Sequence, residues 1–138
     1  NRCYRYRILS RPAPPALERD RVWWTPLPLD VAAMAKAAAV LEGRHDFTSF
    51  RSTMCGATSA KKTLATLRVS RSGEEVVITA QARSFLHNQV RIIAGTLKQV
   101  GEGRWTPADV AAALEACDRA RAGPTAPAHG LCLTSVEY

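Results

Sequence analysis

The sequence predicts an α+β fold in which a mainly antiparallel sheet carries helices on one face. Residues 3–9 alternate apolar and basic side chains, the period of two that is typical of a strand. Two β-rich runs, 63–71 and 74–82, are separated only by Ser72-Gly73, which is a strong hairpin signal. Residues 86–100 repeat apolar side chains at steps of four and three, as an amphipathic helix does. A tight hairpin makes part of the sheet antiparallel, and helices can then cover one face, which leaves the other face free to bind a partner.

The first strand places Tyr4, Tyr6 and Ile8 on one face and arginines on the other. Residues 10–28 contain five prolines and are predicted to form an irregular surface connection. Within that connection Trp23 and Trp24 are expected to cover the core, with stacking of an exposed Trp on a base as the alternative.

A first helix is predicted to begin after Asp30, a favoured N-cap residue, and to end near Gly43. Its apolar stripe consists of Val31, Met34, Ala38 and Leu41. Residues 45–51 have no clean period, so an ordered loop is predicted there, anchored by Phe47 and Phe50. Residues 52–60 are small and polar, which predicts a mobile segment.

The second helix is predicted over 86–100, with Gly101 as its stop. Thr106-Pro107-Ala108-Asp109 supplies an N-cap, a proline at the first helical position and an acid in the first turn, which predicts a third helix running to about Arg119. Residues 123–127 are expected to form a rigid loop before a final strand marked by Leu131, Leu133 and Val136.

Length and composition predict one domain over residues 1–138, with no membrane-spanning run and no secretory signal. The four cysteines are too scattered for a zinc ribbon, so no metal site is predicted. They are interpreted as reduced, mostly buried thiols of a cytoplasmic protein. The chain begins with Asn1 and enters a strand pattern at once, which suggests a fragment or a processed piece.

The charge balance favours a polyanionic partner, with an ordinary basic surface as the alternative. Lysine and arginine number 19 against 12 acidic residues, a formal net charge of +7. Such side chains displace counterions from phosphates, and arginine suits phosphate geometry particularly well. The sequence contains no G-x-S-x-G, P-loop or H-E-x-x-H motif.

Two sets of polar residues leave open whether they have chemical or structural roles. His87, Arg91, Gly95 and Lys98 lie off the apolar stripe of the second helix, either as a solvated face or as part of a site. A glycine within a helix costs about 1 kcal/mol relative to alanine, so Gly95 needs a packing or close-approach reason. The second set invites acid/base chemistry, but its spacing also fits capping or loop roles; its members are His45, Asp46 and His129.

Several motifs in combination resemble one enzyme family over nearly the whole chain. The motifs are RCYRY (2–6), HDFTSFR (45–51), FLHNQVR (85–91), GTL (95–97), GPTAPAHGL (123–131) and VEY (136–138). In this order they resemble the C-terminal half of bacterial tRNA pseudouridine synthases of the TruA family.

The resemblance implies an enzyme that isomerises uridine to pseudouridine at positions 38, 39 and 40 of the tRNA anticodon arm, without a cofactor and as a homodimer. The family's catalytic Asp lies in a G-R-T-D-A-G-V-H motif in the N-terminal half, and these 138 residues contain no such motif. Residues 1–138 are therefore expected to be the C-terminal domain, inactive alone. Asp46 occupies a different family position and is not assigned the catalytic role.

The resemblance also implies roles for individual residues. Tyr4 matches the active-site tyrosine that packs against the target base. Arg91 matches the active-site arginine that pairs with the catalytic Asp, and Leu131 matches an apolar residue that lines the uracil pocket. His87, in the same motif as Arg91, is grouped with the substrate-binding residues. Asn88 departs from the family pattern, where a second His is common, and so does Ile92, where many members have Asn.

The physical chemistry is compatible with these roles. A uridine in a stacked stem-loop must be flipped out before its glycosidic bond can break, and an aromatic platform offsets part of that cost. A guanidinium favours the ionised form of a neighbouring carboxylate and fixes its direction through two contacts. The alternatives are a basic RNA-binding or dimerisation module without catalysis, and an unrelated metal-binding or structural domain.

Overall fold

The computed structural model describes residues 1–17, 20–53 and 59–136, and its described strands form one six-stranded sheet. Three short 3-10 turns (Thr48–Phe50, Arg119–Arg121 and Ala128–Gly130) lie between the regular elements. In chain order the helices and strands are β1 (Arg2–Ser10), β2 (Trp23–Thr25), α1 (Val31–Leu41), β3 (Gly43–Asp46), β4 (Lys61–Ser72), β5 (Glu75–Ala82), α2 (Gln89–Gly101), α3 (Pro107–Ala116) and β6 (Leu131–Val136).

Strand β1 lies at the centre of the sheet and has neighbours on both sides. One side pairs antiparallel with β5, and the sheet continues through β4 to β3. The other side is shared, because β6 pairs antiparallel with the first half of β1 and β2 pairs parallel with its last three residues. The predicted α+β fold with a mainly antiparallel sheet is confirmed.

The predicted hairpin is formed by β4 and β5. Ser72 pairs with Glu75, and Gly73 between them adopts φ +60°, a left-handed conformation that glycine reaches without a steric penalty. The pairing register shifts between Leu64 and Thr66. This β-bulge lets Leu64 and Leu67 both face the core although they are three residues apart.

One face of the sheet is covered by the helices, as predicted. Buried side chains alternate along β1 (Tyr6, Ile8) and along β5 (Val76, Ile78, Ala80), and all of them lie on the helix-bearing face. Helix α1 contacts β4, α2 contacts β1, and α3 packs on α1. The side chains between the buried ones, such as Arg5 and Arg7 on β1, lie on the opposite face.

Two short strands were not predicted. Strand β2 interrupts the proline-rich connection, because prolines flank these three residues without falling on them. Trp23 packs against the core as expected, and Trp24 is 37% exposed. Strand β3 occupies part of the predicted loop; its side chains are half-buried or exposed without alternation, so no period of two was visible.

The first predicted helix is confirmed, and the Oδ1 of Asp30 accepts from the N–H of Ala33 at 3.0 Å. Phe47 and Phe50, the predicted loop anchors, are fully buried. Helix α3 begins with the predicted cap, in which Thr106 and Asp109 form a reciprocal capping box. It ends at Ala116 instead of Arg119, because Cys117 adopts a left-handed conformation (φ 48°).

The start of α2 also differs from the prediction. The apolar period includes Leu86, which is buried, yet the helix begins only at Gln89. Asn88 adopts φ 61° and ψ 10°, a left-handed conformation, so residues 87 and 88 form a turn before the helix. His87 therefore lies outside the helix.

Other predictions concern thiols, mobility and membranes. Cys3 is half-buried, whereas Cys117 and Cys132 are exposed, so the expectation of mostly buried thiols is wrong for these three. Cys55, most of the segment predicted to be mobile, and the last two residues of the VEY motif lie outside the described residues. Within the described ranges, no helix has the length and apolar character needed to cross a bilayer.

Candidate active site

A pocket of about 310 Å³ lies where β1 and β6 meet the start of α2. It brings together the four residues that the sequence singled out: Tyr4, His87, Arg91 and Leu131. Tyr4 shares the face of Tyr6 in β1, so the pocket lies on the helix-bearing side of the sheet and not on the uncovered face that the sequence left free for a partner. The full lining is Arg2, Tyr4, Phe85, Leu86, His87, Asn88, Gln89, Val90, Arg91 and Leu131.

Two apolar walls of the pocket come from neighbouring strands. Tyr4 is half-buried and meets Phe85 edge to face, with ring centroids 5.2 Å apart. Leu131 is half-buried at the start of β6, where it pairs with Tyr6 of β1. These contacts fix the Tyr4 ring through packing, which leaves an aromatic surface at the pocket wall.

Arg91 lies in the first turn of α2 and is held by two neutral acceptors. Its Nε donates to the carbonyl of Ala126 at 2.8 Å, and its Nη1 donates to Oδ1 of Asn88 at 3.1 Å. The backbone N–H of Ala126 returns a hydrogen bond to the carbonyl of Arg91 at 3.0 Å. The plane of the guanidinium is therefore fixed by hydrogen bonds at two of its nitrogens, Nε and Nη1.

Within the part of the chain that the structure describes, no carboxylate pairs with Arg91. The ion pairs seen there join other residues: Arg7 to Glu75, Arg11 to Glu74, and Lys98 and Arg104 to Glu102. Arg91 is half-buried in the pocket, and its hydrogen-bond acceptors among the described residues are uncharged. Such a cation attracts an anionic group that enters the pocket.

The loop that supplies the Ala126 carbonyl lies directly on α2. A Cβ at Gly95 would approach the carbonyl oxygen of Pro124 to 1.7 Å, so only glycine permits this contact. The N–H of Gly123 donates to Oγ1 of Thr96 at 2.9 Å. The prediction that Gly95 allows close approach of another element is confirmed.

Tyr6 attaches the same loop to the sheet. It is fully buried, and its hydroxyl donates to the carbonyl of Pro127 at 2.6 Å. Burial raises the pKa of the Tyr6 phenol far above its ordinary value, and the nearby Arg91 charge opposes that rise only in part. Tyr6 therefore stays neutral and acts as a donor that orders the loop.

Comparisons with known proteins identify the family. A family model described as tRNA pseudouridine synthase matches residues 37–138. The chain belongs to the tRNA pseudouridine synthase family. Among curated relatives, "tRNA pseudouridine synthase A" of Rhodospirillum rubrum is 58% identical over 137 residues, which cover 99% of this chain and 49% of that protein. The proteins of the same name from Paramagnetospirillum magneticum and Mesorhizobium japonicum are also 58% identical over 99% of this chain, covering 54% and 55% of their lengths. The chain thus spans about half the length of the curated relatives that it matches.

The structure does not form the basic helix face that the sequence predicted from His87, Arg91, Gly95 and Lys98. His87 is exposed, precedes α2, and accepts a backbone hydrogen bond from Ser52 at 3.0 Å, so it does not share a helix face with Arg91. Lys98 pairs with Glu102, and its Nζ lies 4.7 Å from the centroid of the Trp23 ring. The solvated-face alternative is wrong for Lys98, and also for Gly95, which is buried under the loop.

His45 and Asp46 lie outside this pocket and have local roles. Asp46 Oδ1 accepts from the backbone N–H of Thr48 at 3.0 Å and from its hydroxyl at 2.6 Å. The Thr48 hydroxyl is the main cause that lowers the pKa of the Asp46 carboxyl. His45 Nε2 lies 2.9 Å from the carbonyl of Glu42, and His129 is exposed in a 3-10 turn. Of the predicted capping or loop roles, the loop role is confirmed for Asp46, because the 3-10 turn Thr48–Phe50 has no side-chain cap.

The sequence analysis assigned no role to several residues of the site, namely Phe85, Asn88, Gln89 and Ala126. Gln89 is fully buried; its Oε1 accepts from the N–H of Leu86 at 2.8 Å, whereas its Nε2 has no partner among the described residues. Three of the four belong to the FLHNQVR motif, so motif membership was the available signal. Among the described residues, no group of three or more His, Cys, Asp or Glu could hold a metal ion.

Basic side chains gather at the end of the sheet that carries the pocket. Arg2 opens β1 and lines the pocket, and Arg83 follows directly on β5, whose last residue, Ala82, pairs with Arg2. Lys62, near the start of β4, donates to Oγ of Ser84 at 3.0 Å. Arg2 lines the pocket, and Lys62 and Arg83 lie at the same end of the sheet outside its lining. Cations grouped in this way attract polyanions.

Proposed function

We propose that this chain is the C-terminal half of a tRNA pseudouridine synthase that converts uridine to pseudouridine at positions 38 to 40 of the anticodon arm. The observation that carries the proposal is Arg91, which neutral acceptors hold beside Tyr4 in a pocket whose described residues offer it no carboxylate. The whole enzyme would act without a cofactor, as a homodimer in the cytoplasm.

The reaction needs a small pocket in which the detached uracil ring can rotate. The bond between uracil N1 and ribose C1′ breaks, the ring rotates and a bond from C5 to C1′ forms. The hydrogen on C5 then leaves as a proton and N1 takes up a proton, so the product is an isomer of the substrate. A volume of about 310 Å³ lies at the lower end of the roughly 300–1,000 Å³ typical of ligand sites. The Tyr4 ring supplies a face or edge against the flipped base, and Leu131 closes the apolar side.

The catalytic carboxylate would come from the other half of the protein, on the G-R-T-D-A-G-V-H motif that these 138 residues lack. In a water-poor pocket a carboxylate tends to take up a proton, which would remove its catalytic charge. The Arg91 guanidinium would keep it ionised and directed at the substrate. Lysine could not provide the same geometry, because it lacks a planar fork.

The RNA would be held by its phosphates at the basic end of the sheet. Arg2, Lys62 and Arg83 lie there, and the chain carries a net charge of +7. Binding by these residues would weaken steeply with salt, since each phosphate contact releases counterions. His87, exposed at the pocket, is placed to contact a nucleotide next to the target.

The proposal is tested with the full-length protein and tRNA that carries tritium at uridine C5. Isomerisation releases that tritium to water, so release measures the reaction directly. Replacing Tyr4 separates its roles: Tyr4→Phe keeps the ring and is expected to retain most of the rate, whereas Tyr4→Ala should lose about 100-fold or more. Unchanged rates for both variants would refute the stacking role, and no release by the wild-type protein would refute the proposed reaction.

A second candidate function is a basic RNA-binding or dimerisation module without catalysis. It is favoured by the net charge of +7, which attracts a phosphate backbone without any catalytic group. Tight, salt-sensitive binding of tRNA by the full-length protein with no tritium release would support it. Sedimentation of the full-length protein tests the homodimer separately.

A further inference from the structure

Asn88 has an unusual backbone conformation and a side chain that does not cap its own helix. It precedes α2 with φ 61° and ψ 10°, and its side chain forms no capping hydrogen bond with the described helix. Instead its Oδ1 accepts from Nη1 of Arg91 at 3.1 Å. The side chain that would normally satisfy the helix N-terminus is thus committed to the pocket arginine.

The residue type fits both requirements. A left-handed backbone favours glycine and, next, asparagine, whose short polar side chain tolerates it. Glycine would meet the backbone requirement but would supply no acceptor to Arg91. Aspartate has the same shape as asparagine but would bring a negative charge to the guanidinium.

We propose that Asn88 is a positioning residue that aims the Arg91 guanidinium while leaving its charge unneutralised. The proposal rests on the proposed function, in which Arg91 receives the catalytic carboxylate. The Ala126 carbonyl holds Nε and Asn88 holds Nη1, so two neutral acceptors fix the plane of the fork. Nη2, the third nitrogen, has no partner among the described residues and stays available to an incoming anion.

The neutrality of the acceptor is central to this role. A preorganised cation stabilises a negative group most when no other anion already satisfies it. An aspartate at position 88 would form an ion pair with Arg91 and compete with the catalytic carboxylate for it. A glycine would leave Arg91 charged but free to rotate about its side-chain bonds.

These two changes give a graded kinetic test in the full-length enzyme. Asn88→Gly keeps the left-handed backbone, and kcat is expected to fall about tenfold while KM for tRNA stays within about twofold. Asn88→Asp is expected to lower kcat about 100-fold or more, because the guanidinium is occupied. Cys117→Gly is the matched control, since Cys117 is the other described non-glycine residue with positive φ and lies outside the pocket; its kcat should equal the wild-type value.

A second readout does not depend on activity. In protein labelled with ¹⁵N-arginine, the Arg91 Nε–H resonance is assigned by its loss in Arg91→Lys. Asn88→Gly is expected to lower the order parameter of this group and to speed its exchange with water, whereas Cys117→Gly should change neither. Unchanged order and exchange in Asn88→Gly would overturn the positioning role, whatever the enzyme does with tRNA.

The two readouts separate the two proposals. An inactive wild-type protein in which Asn88→Gly still loosens Arg91 would contradict the proposed function and support the positioning role. An active wild-type protein with equal kcat in Asn88→Gly and Asn88→Asp would overturn the positioning role and keep the proposed function. A loss confined to KM would also overturn it, because Asn88 would then contact the RNA.

Discussion

Arg91 and Asp46 are both charged residues in motifs on which the family resemblance rests, yet their surroundings differ. Asp46 is satisfied locally: the N–H and hydroxyl of Thr48, two residues further on, both donate to it. Arg91 is held by Ala126, 35 residues away, and by Asn88, and both acceptors are neutral. The Asp46 carboxylate accepts its hydrogen bonds within its own turn. The Arg91 guanidinium is held in one orientation but has no carboxylate partner among the described residues.

This difference distinguishes structural from functional charges better than residue type does. A carboxylate bound by its own turn lowers the free energy of that turn and has little capacity left for a substrate. A guanidinium that distant backbone holds in place, with no counter-charge beside it, is prepared for an anion that arrives later. We therefore expect changes at Arg91 to affect turnover and changes at Asp46 to affect stability.

The largest effect is expected from Arg91→Lys in the full-length enzyme. Lysine keeps the charge but loses the fork and the bond to Ala126, so kcat should fall by roughly 100-fold or more. The affinity for tRNA, measured by filter binding, should change less than about threefold. Arg68→Lys, at an exposed position of β4, is the matched control and should leave both quantities unchanged. Equal losses of turnover and affinity in Arg91→Lys would make Arg91 a phosphate contact instead.

Gly95→Ala should test whether the loop that holds Arg91 needs its close contact with α2. The added Cβ would overlap the Pro124 carbonyl oxygen. Because that oxygen belongs to the backbone, the overlap is relieved only if the loop or the helix moves. We expect the free energy of unfolding to fall by about 2–3 kcal/mol, measured by urea denaturation, together with a loss of turnover. A variant of unchanged stability would show that the loop can relax away from the helix at little cost.

A smaller effect is expected from Tyr6→Phe, which removes only the hydroxyl. The Pro127 carbonyl loses the hydrogen bond that the Tyr6 hydroxyl donates to it. The free energy of unfolding should therefore decrease by about 1–2 kcal/mol in the same assay. Turnover should decrease less than in Gly95→Ala, since the loop keeps its contact with α2. A decrease in turnover without loss of stability would instead give the Tyr6 hydroxyl a role in the reaction.

Asp46→Asn is expected to have the smallest effect, and that effect should depend on pH. The pKa of Asp46 in the folded protein lies below its ordinary value of 3.8, chiefly because of the Thr48 hydroxyl. Its ionised form is therefore favoured by folding: the stabilisation is complete above that ordinary value and is lost as the pH falls through the folded pKa. Wild type and variant should differ in stability at neutral pH and converge in acid, with equal turnover at neutral pH. A difference independent of pH would contradict a role for the charge.

Local patterns predicted much of the fold. The alternation along β1, the Ser72-Gly73 hairpin and the caps at Asp30 and Thr106 depend on neighbouring residues alone, and all are present. Strand β3 was not predicted, because its side chains are neither clearly buried nor alternating. Its pairing with β4, a contact between distant segments, makes it a strand.

The site was predicted only through its motifs. Periodicity extended α2 to Leu86, because an apolar residue in a turn looks the same as one in a helix. The left-handed Asn88 and the bond from Arg91 to Ala126 are set by tertiary contacts, which no local pattern encodes. The motifs identified Arg91, but how it is held became visible only in three dimensions.

The central place of β1 has a consequence for how the protein is made. Cys3 and Thr134, joined by a hydrogen bond, stand 131 positions apart in the chain. Synthesis from the N-terminus produces Tyr4 well before Leu131, so a chain still on the ribosome carries Arg91 before its Ala126 acceptor exists. Pairing of such distant segments is slow to form. The pocket is therefore completed only after Leu131 has been made, whereas both strands of the hairpin are available to pair before that point.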